Sequence, residues 1–314
     1  MKLEEIGIAA FKELGLRFTL VGVLPIAALV LYVAGLSLSV RAGGAPDLAA
    51  LAKFAHELTA ADALGVVVAI IVLAFLLQPL QLSLVRLLEG YWDGSRLAGA
   101  AATIAVAWHR RQRKKLEAAS QSTHEPSTDE VIAMGAAARR LRRFYPAPDR
   151  LLPMMLGNVL RAAEDKGEAR YGLDTVVIWP RLYHVLPKGL QQSLADQRNQ
   201  LDTAARLCVA FILAATASAA LLYPHGWWNL AEIIALALAW MSYRSAIAAA
   251  LAYGESIQVA IDLHRFDMLK AMHLPAPADR DAELKSNRLL CDFLRQGVPV
   301  RFKYEHPEGP RLAQ

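Results

Sequence analysis

Glu232 and Arg244 are two ionisable residues within the last long apolar stretch of the sequence. The eleven residues between them span about 16 Å as a helix, whereas the hydrocarbon core of a bilayer is about 30 Å thick. Ionisable side chains at membrane depth usually face a bundle interior or a wet cavity. Flexible side chains can instead reach the headgroups. The spacing therefore predicts either a polar pathway or snorkelling toward the two interfaces.

An earlier apolar stretch contains a second group of notable positions, Gln78, Pro79 and Gln81. Because proline lacks the amide hydrogen and clashes with the preceding turn, Pro79 predicts a kink. The two glutamines are three positions apart and so lie on neighbouring positions of one helical face. Amide groups in lipid need hydrogen-bond partners. Gln78 and Gln81 therefore join Glu232 and Arg244 as candidate polar positions inside a membrane.

Two basic clusters, "HRRQRKK" at 109–115 and "RRLRR" at 139–143, lie between the apolar stretches. Each lysine or arginine near an anionic membrane surface contributes about 1 kcal/mol of attraction. A nucleic-acid patch would have the same composition, but the sequence has no zinc-finger pattern and no aromatic RNA-binding motif. We therefore expect anionic lipid headgroups, and no nucleic acid, as partners. The predicted lipid-facing residues are Arg110, Arg111, Arg113, Lys114, Lys115, Arg139, Arg140, Arg142 and Arg143.

Catalytic and cofactor motifs are missing from the sequence. It contains no HExxH, GxSxG, Walker, GxGxxG or CxxC pattern, which are the spacings that place nucleophiles, metals or phosphates. The histidines show no ligand spacing, and Cys208 and Cys291 offer no disulfide framework. We expect a protein that is not an enzyme and that holds no cofactor or metal.

The elements that carry these residues follow from the apolar stretches. The 314 residues are 55% hydrophobic with a mean hydropathy of +0.29, which is typical of a multi-pass membrane protein. Four stretches approach the roughly 20 residues that a membrane-spanning helix needs. They lie at about 18–40, 63–85, 207–223 and 227–247. The predicted fold is all-α: a four-helix transmembrane bundle with a mainly helical cytoplasmic domain between spans 2 and 3 and a cytoplasmic C-terminal helical extension.

The distribution of charge predicts the orientation. Residues 89–206 contain 18 lysines and arginines against 13 acidic residues, and short loops rich in basic residues stay cytoplasmic. We therefore expect a plasma-membrane protein with both termini and this long segment in the cytoplasm. The predicted domains are a transmembrane pair in 1–88, a basic cytoplasmic helical domain in 89–204, a second transmembrane pair in 205–253, and a cytoplasmic helical extension and tail in 254–314.

The stretch "TVVIWPRLYHVLP" at 175–187 is apolar but too short to span a membrane. Residues before proline favour extended geometry, so we expect a strand at "TVVIW" followed by a short helix. The first interpretation makes the stretch part of the domain core, through Val176, Ile178, Leu182 and Leu186. The alternatives are docking on the membrane surface through Trp179 and Tyr183, or a site around Arg181 and His184.

Several shorter patterns predict local structure. Thr59 with Asp62, and Ser127 with Glu130, have capping-box spacing. Asp262 and Arg265 are spaced for an ion pair on one helical face. The fourth span shows no break before Pro275, so one helix can continue beyond the membrane. A last helix ends near Arg295 with Gly297 as its stop signal, and "VRFKY" at 300–304 alternates like a strand.

The order of spans and cytoplasmic segments resembles the layout of bestrophin-like anion channels, although no pore motif of that family is present and no residue role is carried over. Two functions are compatible with this organisation. The first is a channel-like homo-oligomer, in which Gln78, Gln81 and Arg244 line a pore and the arginine favours anions. The second is a membrane-anchored scaffold or signalling protein that presents its basic cytoplasmic domain to a partner.

Overall fold

The computed structural model of the chain describes residues 23–40, 46–57, 59–77, 81–92, 95–121 and 126–305. Over these ranges the fold is entirely helical, without strands, so the predicted all-α class is confirmed. The helices are α1 (Leu24–Ser39), α2 (Leu48–Glu57), α3 (Ala60–Leu77), α4 (Gln81–Glu89), α5 (Arg96–Ala119), α6 (Thr128–Phe144), α7 (Met155–Tyr171), α8 (Thr175–Val185), α9 (Lys188–Leu222), α10 (Leu230–Ala271) and α11 (Arg280–Gln296). Short 3-10 turns occur at Pro148–Arg150 and Gly226–Asn229.

The chain forms two compact units, and the residues of α9 and α10 are divided between them. Unit 1 comprises Met1–Leu88 and Asn199–Ala248. Unit 2 comprises Glu89–Arg198 and Ala249–Gln314.

Small residues allow close helix packing in unit 1. Ala214 and Ala215 of α9 and Ala235 of α10 are buried together, and Leu29 of α1 packs against them. The Tyr32 hydroxyl lies 2.6 Å from the hydroxyl of buried Ser218. Small side chains let helix backbones approach closely where no hydrophobic effect drives association. The small residues of α9 therefore serve helix packing within unit 1.

Within the part of the chain that the structure describes, two helical segments are long and apolar enough to cross a membrane. They are Lys188–Leu222 and Gly226–Ala271. Pro25–Ser39 and Ala60–Leu73 are shorter apolar helices, next to ranges outside the described residues. The four-span bundle therefore stays a prediction. The predicted continuity of the last span is confirmed, because α10 runs unbroken for 42 residues, about 63 Å at 1.5 Å per residue.

The core of unit 2 is built around α8, where the sequence predicted a strand. That prediction is wrong, since Thr175–Val185 is one helix with Pro180 inside it. Asp174 caps the helix by accepting hydrogen bonds from the amides of Val176 and Val177. An interior proline costs about 3 kcal/mol. The cap contributes about 1 kcal/mol, and each large apolar side chain that is fully buried contributes about 1.5–3 kcal/mol. Ile178 and Leu182 are both fully buried, so packing outweighs the proline.

The core interpretation of this stretch is confirmed for three of its four residues. Ile178, Leu182 and Leu186 are buried in one cluster with Met268 and Leu290. Val176 is 58% exposed, so its assignment to the core was wrong. In a helix, Val176 lies about 200° around the axis from Ile178. A strand would have put both side chains on one face.

Several local predictions can be compared with the described residues. Both capping boxes are present, at Thr59 with Asp62 and at Ser127 with Glu130. Gly297 ends α11 with a left-handed φ of 66°, as predicted. The predicted strand at 300–304 is wrong, because this segment has no regular structure.

The predicted Asp262–Arg265 ion pair is also wrong. Arg265 Nε donates to Glu283 at 2.7 Å, while Asp262 accepts from the Tyr171 hydroxyl at 2.8 Å. Glu283 begins α11 on the far side of a loop, so tertiary packing brings a competing carboxylate to Arg265. Arg170 provides the opposite charge for Asp262, at 3.3 Å.

Removing the Ser127 cap is expected to destabilise the chain. Ser127→Ala deletes the oxygen that accepts from the Glu130 amide, and loss of such a cap costs about 1 kcal/mol. The measurement is thermal unfolding of the detergent-solubilised chain followed by circular dichroism. Ser193→Ala, at an exposed position inside α9, is the control and should not lower the melting temperature, because alanine is at least as favourable as serine within a helix. Equal melting temperatures for both variants would contradict the prediction.

Candidate functional site

A basic cleft of about 960 Å³ opens in unit 2, and we call it the arginine cleft. Three helices supply its cations: α5 contributes one arginine, α6 contributes four, and α7 contributes a lysine and an arginine. The two acidic residues at the cleft are Asp165 of α7 and Glu255 of α10. The cationic side chains are Arg113, Arg139, Arg140, Arg142, Arg143, Lys166 and Arg170. Basic groups therefore outnumber acidic groups by seven to two.

Hydrogen bonds hold the wall of the cleft near α5. Arg113 Nε donates to the carbonyl of Pro146 at 3.1 Å, and its Nη1 lies 2.9 Å from Glu117. These bonds tie α5 to the turn that follows α6. Tyr145 and Pro146 are both buried, so this turn is fixed against the domain. Arg113 therefore has a structural role in addition to its charge.

The carboxylates of the cleft are already engaged. Asp165 accepts a hydrogen bond from the Ala147 amide at 2.7 Å and pairs with Arg150, which is not one of the cleft cations. Glu255 lies 3.7 Å from Arg143, a contact between exposed side chains that is worth little in water. The acidic residues that line the cleft therefore compensate its positive charge only weakly. Two of the seven cations also have partners outside the lining, since Arg113 pairs with Glu117 and Arg170 with Asp262.

Lys166 lies partly desolvated at the cleft. Burial lowers the pKa of its amine; Glu255 opposes that shift, whereas Arg170 and Arg143 add to it. Partial desolvation disfavours the charged amine, and an anion bound in the cleft would favour it.

The chemistry of the cleft suits a phosphate group. Arginine presents planar donors that match phosphate oxygens in a bidentate manner, and lysine adds a compact point charge. Arg139, Arg140, Arg142 and Arg143 are exposed on α6, where solvent can deliver a ligand. Among the residues that line the cleft there is no histidine and no cysteine. The arrangement supports binding of an anion.

Only some of the predicted lipid-facing lysines and arginines lie together in the arginine cleft. Arg113 joins the second cluster in the cleft, whereas Arg110, Arg111, Lys114 and Lys115 are exposed on α5 and do not line it. Sequence reasoning missed Lys166 and Arg170. Their spacing of four positions places them on one helical face, which is the signal that could have found them.

Within the described residues, the polar positions predicted to lie in the membrane do not form one site. Glu232 is half-buried in the first turn of α10, where a carboxylate is favoured by the helix dipole. Arg244 is exposed, with its guanidinium 5.9 Å from the ring centre of Trp240. Gln78 and the predicted kink at Pro79 lie outside the described residues, and Gln81 is the first residue of α4 with its side chain outside them.

A second, smaller cleft of about 260 Å³ lies beside α8. Its lining includes Trp179, Glu164 and Arg161, and the Arg161 guanidinium lies 5.4 Å from the ring centre of Tyr91. Burial raises the pKa of Glu164, although Arg150 donates to that carboxylate at 2.7 Å and opposes the shift. Trp179 packs against the core cluster. This packing favours the core interpretation of α8 over docking on a membrane surface.

Replacing Lys166 with methionine is expected to stabilise the fold in a pH-dependent way. The pKa of Lys166 is lowered from its ordinary value of 10.5, so the folded state binds fewer protons than the unfolded state between that lowered pKa and 10.5. Stability therefore rises with pH across this window, and the cost of the charged amine is fully present below it. Lys166→Met removes that cost, which should raise the melting temperature at neutral pH.

The gain from Lys166→Met should shrink as the pH approaches 10.5, because the wild-type lysine then loses its charge in both states. Melting curves at several pH values measure this change. Lys285→Met, at an exposed lysine of α11, is the matched control. A gain that stays constant with pH, or one that the control reproduces, would contradict the assignment of the effect to Lys166.

No group of three or more histidine, cysteine, aspartate or glutamate side chains within the described ranges could hold a metal ion. Comparisons of the chain with protein-family models, with curated proteins and with solved structures found no match.

Proposed function

We propose that the chain is a four-span integral membrane protein whose cytoplasmic helical domain binds the phosphate groups of anionic lipids in the arginine cleft. The observation that carries this proposal is the convergence of seven cationic side chains from three helices on one cleft. A solvated basic surface would not need to gather residues that are up to 57 positions apart, from Arg113 to Arg170. The protein acts as a membrane-anchored scaffold whose binding depends on the anionic lipid content of the inner leaflet.

Membrane insertion is supported by the length and surface of the apolar helices. Lys188–Leu222 and Gly226–Ala271 are long and apolar enough to cross a bilayer, which by itself is weak support. Unit 1 also exposes many large apolar side chains, among them Phe75 at 58%, Ile233 at 61% and Trp240 at 64%. Exposed apolar surface on this scale marks an interaction with lipid or protein.

Placement of unit 2 in the cytoplasm is supported by its charge. Residues 89–198 of unit 2 hold 17 basic and 12 acidic side chains, and lysines and arginines near the ends of membrane spans favour the cytoplasmic side. The inner leaflet is also the leaflet that carries anionic lipid. The same side of the membrane therefore supplies both the orientation signal and the ligand of the arginine cleft.

Lipid binding by the purified full chain tests the proposal. In neutral-detergent micelles, energy transfer from the tryptophans to labelled phosphatidylglycerol measures binding, and identically labelled phosphatidylcholine is the control. We expect tighter binding of the anionic lipid and only weak competition by inorganic phosphate. Equal binding of the two lipids would contradict the proposal. Full displacement by inorganic phosphate would assign the cleft to a soluble phosphate compound instead.

A channel-like homo-oligomer is the second candidate function. It is favoured by Arg244, which is exposed on α10 among apolar residues, where lipid alone would disfavour a charge by about 2.5–3.5 kcal/mol or more. Copies of the chain that met at this face would surround a pore with arginines and select anions. The mass of the detergent-solubilised protein, together with anion flux in reconstituted vesicles, tests this function. A monomer without flux would exclude it.

A further inference from the structure

The outer face of α5 carries one continuous stripe of exposed side chains, which we call the α5 stripe. Its members recur at intervals of three or four residues and fall within about 40° of one line along the helix. The first half of the stripe is apolar, and the second half is basic. The residues are Leu97, Ala101, Ile104, Trp108, Arg111 and Lys115, and all are exposed.

The apolar half of the stripe is unusually open for large side chains. Leu97 is 85% exposed, Ile104 is 74% exposed and Trp108 is 52% exposed. The opposite face of α5 accounts for the packing of the helix in unit 2. His109 is buried there, and Arg113 is bonded to Pro146. The stripe is therefore not the face by which α5 joins its own domain.

From these observations we infer that α5 lies flat on the cytoplasmic surface of the membrane, with its apolar half in the interface and its basic half on anionic headgroups. A helix with an apolar face, a tryptophan and lysine or arginine residues has the composition of interfacial membrane helices. Trp108 stands where the stripe changes from apolar to basic, and tryptophan is favoured at headgroup level. This inference rests on the proposed function, because it needs unit 2 on the inner side of a membrane.

A second copy of the chain fits the stripe less well than a bilayer does. Parallel pairing of two α5 helices would bring Arg111 and Lys115 against the same cations of the other copy. Antiparallel pairing would place those cations against Leu97 and Ala101. Both arrangements leave positive charge without a counterion, whereas an anionic bilayer surface offers an apolar layer and negative headgroups together.

The stripe also differs from the arginine cleft in location and in chemistry. None of its residues lines the cleft. Its apolar side chains can be buried in the membrane interface, whereas phosphate binding in the cleft depends on charge. Insertion of the apolar half would remove its side chains from water, which favours membrane association. The two surfaces can therefore be tested independently.

Spin labels in the full chain test the inference. In a background with Cys208→Ala and Cys291→Ala, single cysteines are placed at Ile104→Cys, Gly99→Cys and Leu236→Cys. The chain is reconstituted in vesicles of phosphatidylcholine and phosphatidylglycerol. Collision rates of each label with oxygen, which concentrates in lipid, and with a water-soluble nickel chelate are then measured. Gly99 is the matched control, because it is exposed on the opposite side of α5 and a Cβ added there would have no neighbour within 4 Å.

We expect the label at residue 104 to collide with the nickel chelate several-fold less often than the label at residue 99, and more often with oxygen. Equal collision rates at residues 104 and 99 would overturn the inference. Spin-spin broadening at residue 104 would assign the stripe to a second copy and would also overturn it. Replacement of phosphatidylglycerol by phosphatidylcholine should reduce the contrast between the positions. An unchanged contrast would overturn the role given to anionic headgroups.

The label at Leu236→Cys separates failure of this inference from failure of the proposed function. Leu236 is 48% exposed on the apolar part of α10, and the proposed function places it in the bilayer. One outcome is that the label at residue 236 collides with oxygen while the labels at residues 104 and 99 have equal collision rates. That outcome would contradict only the inference about α5. A label at residue 236 that met the nickel chelate freely would remove the transmembrane assignment itself.

Discussion

Replacing Arg139, Arg140 and Arg143 with glutamine is expected to weaken binding of labelled phosphatidylglycerol by about 100-fold. All three arginines line the arginine cleft, and each basic residue near anionic lipid contributes about 1 kcal/mol. Loss of about 3 kcal/mol corresponds to about two factors of ten in affinity. Glutamine keeps a hydrogen-bonding amide on a shorter, uncharged side chain, so the change removes the positive charge while leaving a polar group. The energy-transfer measurement in micelles gives the affinity directly.

A variant with the same net charge controls for non-specific attraction. Arg181, Arg280 and Arg301 are exposed arginines of unit 2 that do not line the cleft, and their replacement by glutamine removes the same three charges. This control should lose far less affinity than the cleft variant. Equal losses in both variants would show that the lipid responds to total charge, and the cleft would have no specific role.

Gly157→Ala is expected to have the largest effect on stability. A Cβ atom at this position of α7 would lie 2.1 Å from the carbonyl oxygen of Glu89 and 2.6 Å from a methyl group of Leu152. Because the nearest atom belongs to the backbone, it cannot move aside as the end of a side chain can. Overpacking usually costs about 1–3 kcal/mol, and we expect this variant to lose at least about 3 kcal/mol.

Thermal unfolding of the solubilised chain measures the effect of Gly157→Ala. Gly99→Ala is the control, because nothing lies within 4 Å of the added Cβ, and alanine within a helix is favoured over glycine by about 0.5–1 kcal/mol. The two substitutions should therefore shift the melting temperature in opposite directions. A neutral Gly157→Ala would contradict the close approach of α7 to the backbone of Glu89 within unit 2.

Patterns that depend on neighbouring residues predicted local structure well. The capping box at Ser127 and Glu130 needs only two side chains and two amides within one turn, and the left-handed Gly297 needs only its own backbone. The unbroken course of α10 followed from the lack of proline before Pro275. These features are encoded within a few positions, so no knowledge of the tertiary fold was needed.

Features that depend on packing were not predictable in the same way. The helix through Pro180 forms because Ile178 and Leu182 are buried among residues of α10 and α11, and the local preference before proline indicates the opposite. Arg265 pairs with Glu283, eighteen positions away and on another helix. The spacing of Asp262 and Arg265 predicted an ion pair within α10, but the tertiary fold places Glu283 beside Arg265 instead.

The candidate site was predicted in part. Both basic clusters were recognised from their composition, but the sequence could not show that Arg113 joins the second cluster while Lys115 stays on an outer face. Lys166 and Arg170 lie among the acidic residues of "EDKGEAR", so the sequence shows no net positive charge at this point. Only the packing of α5, α6 and α7 brings these cations into one cleft.

The proposed topology predicts on which side of the membrane each unit is exposed. Cysteines are introduced at Gln192→Cys in unit 2 and at Tyr223→Cys after α9, both at exposed positions, in the background lacking Cys208 and Cys291. A membrane-impermeant maleimide should label residue 192 only in inverted vesicles and residue 223 only in right-side-out vesicles. Labelling of both positions from the same side, or of residue 192 from outside, would contradict a chain that crosses the membrane with its basic domain in the cytoplasm.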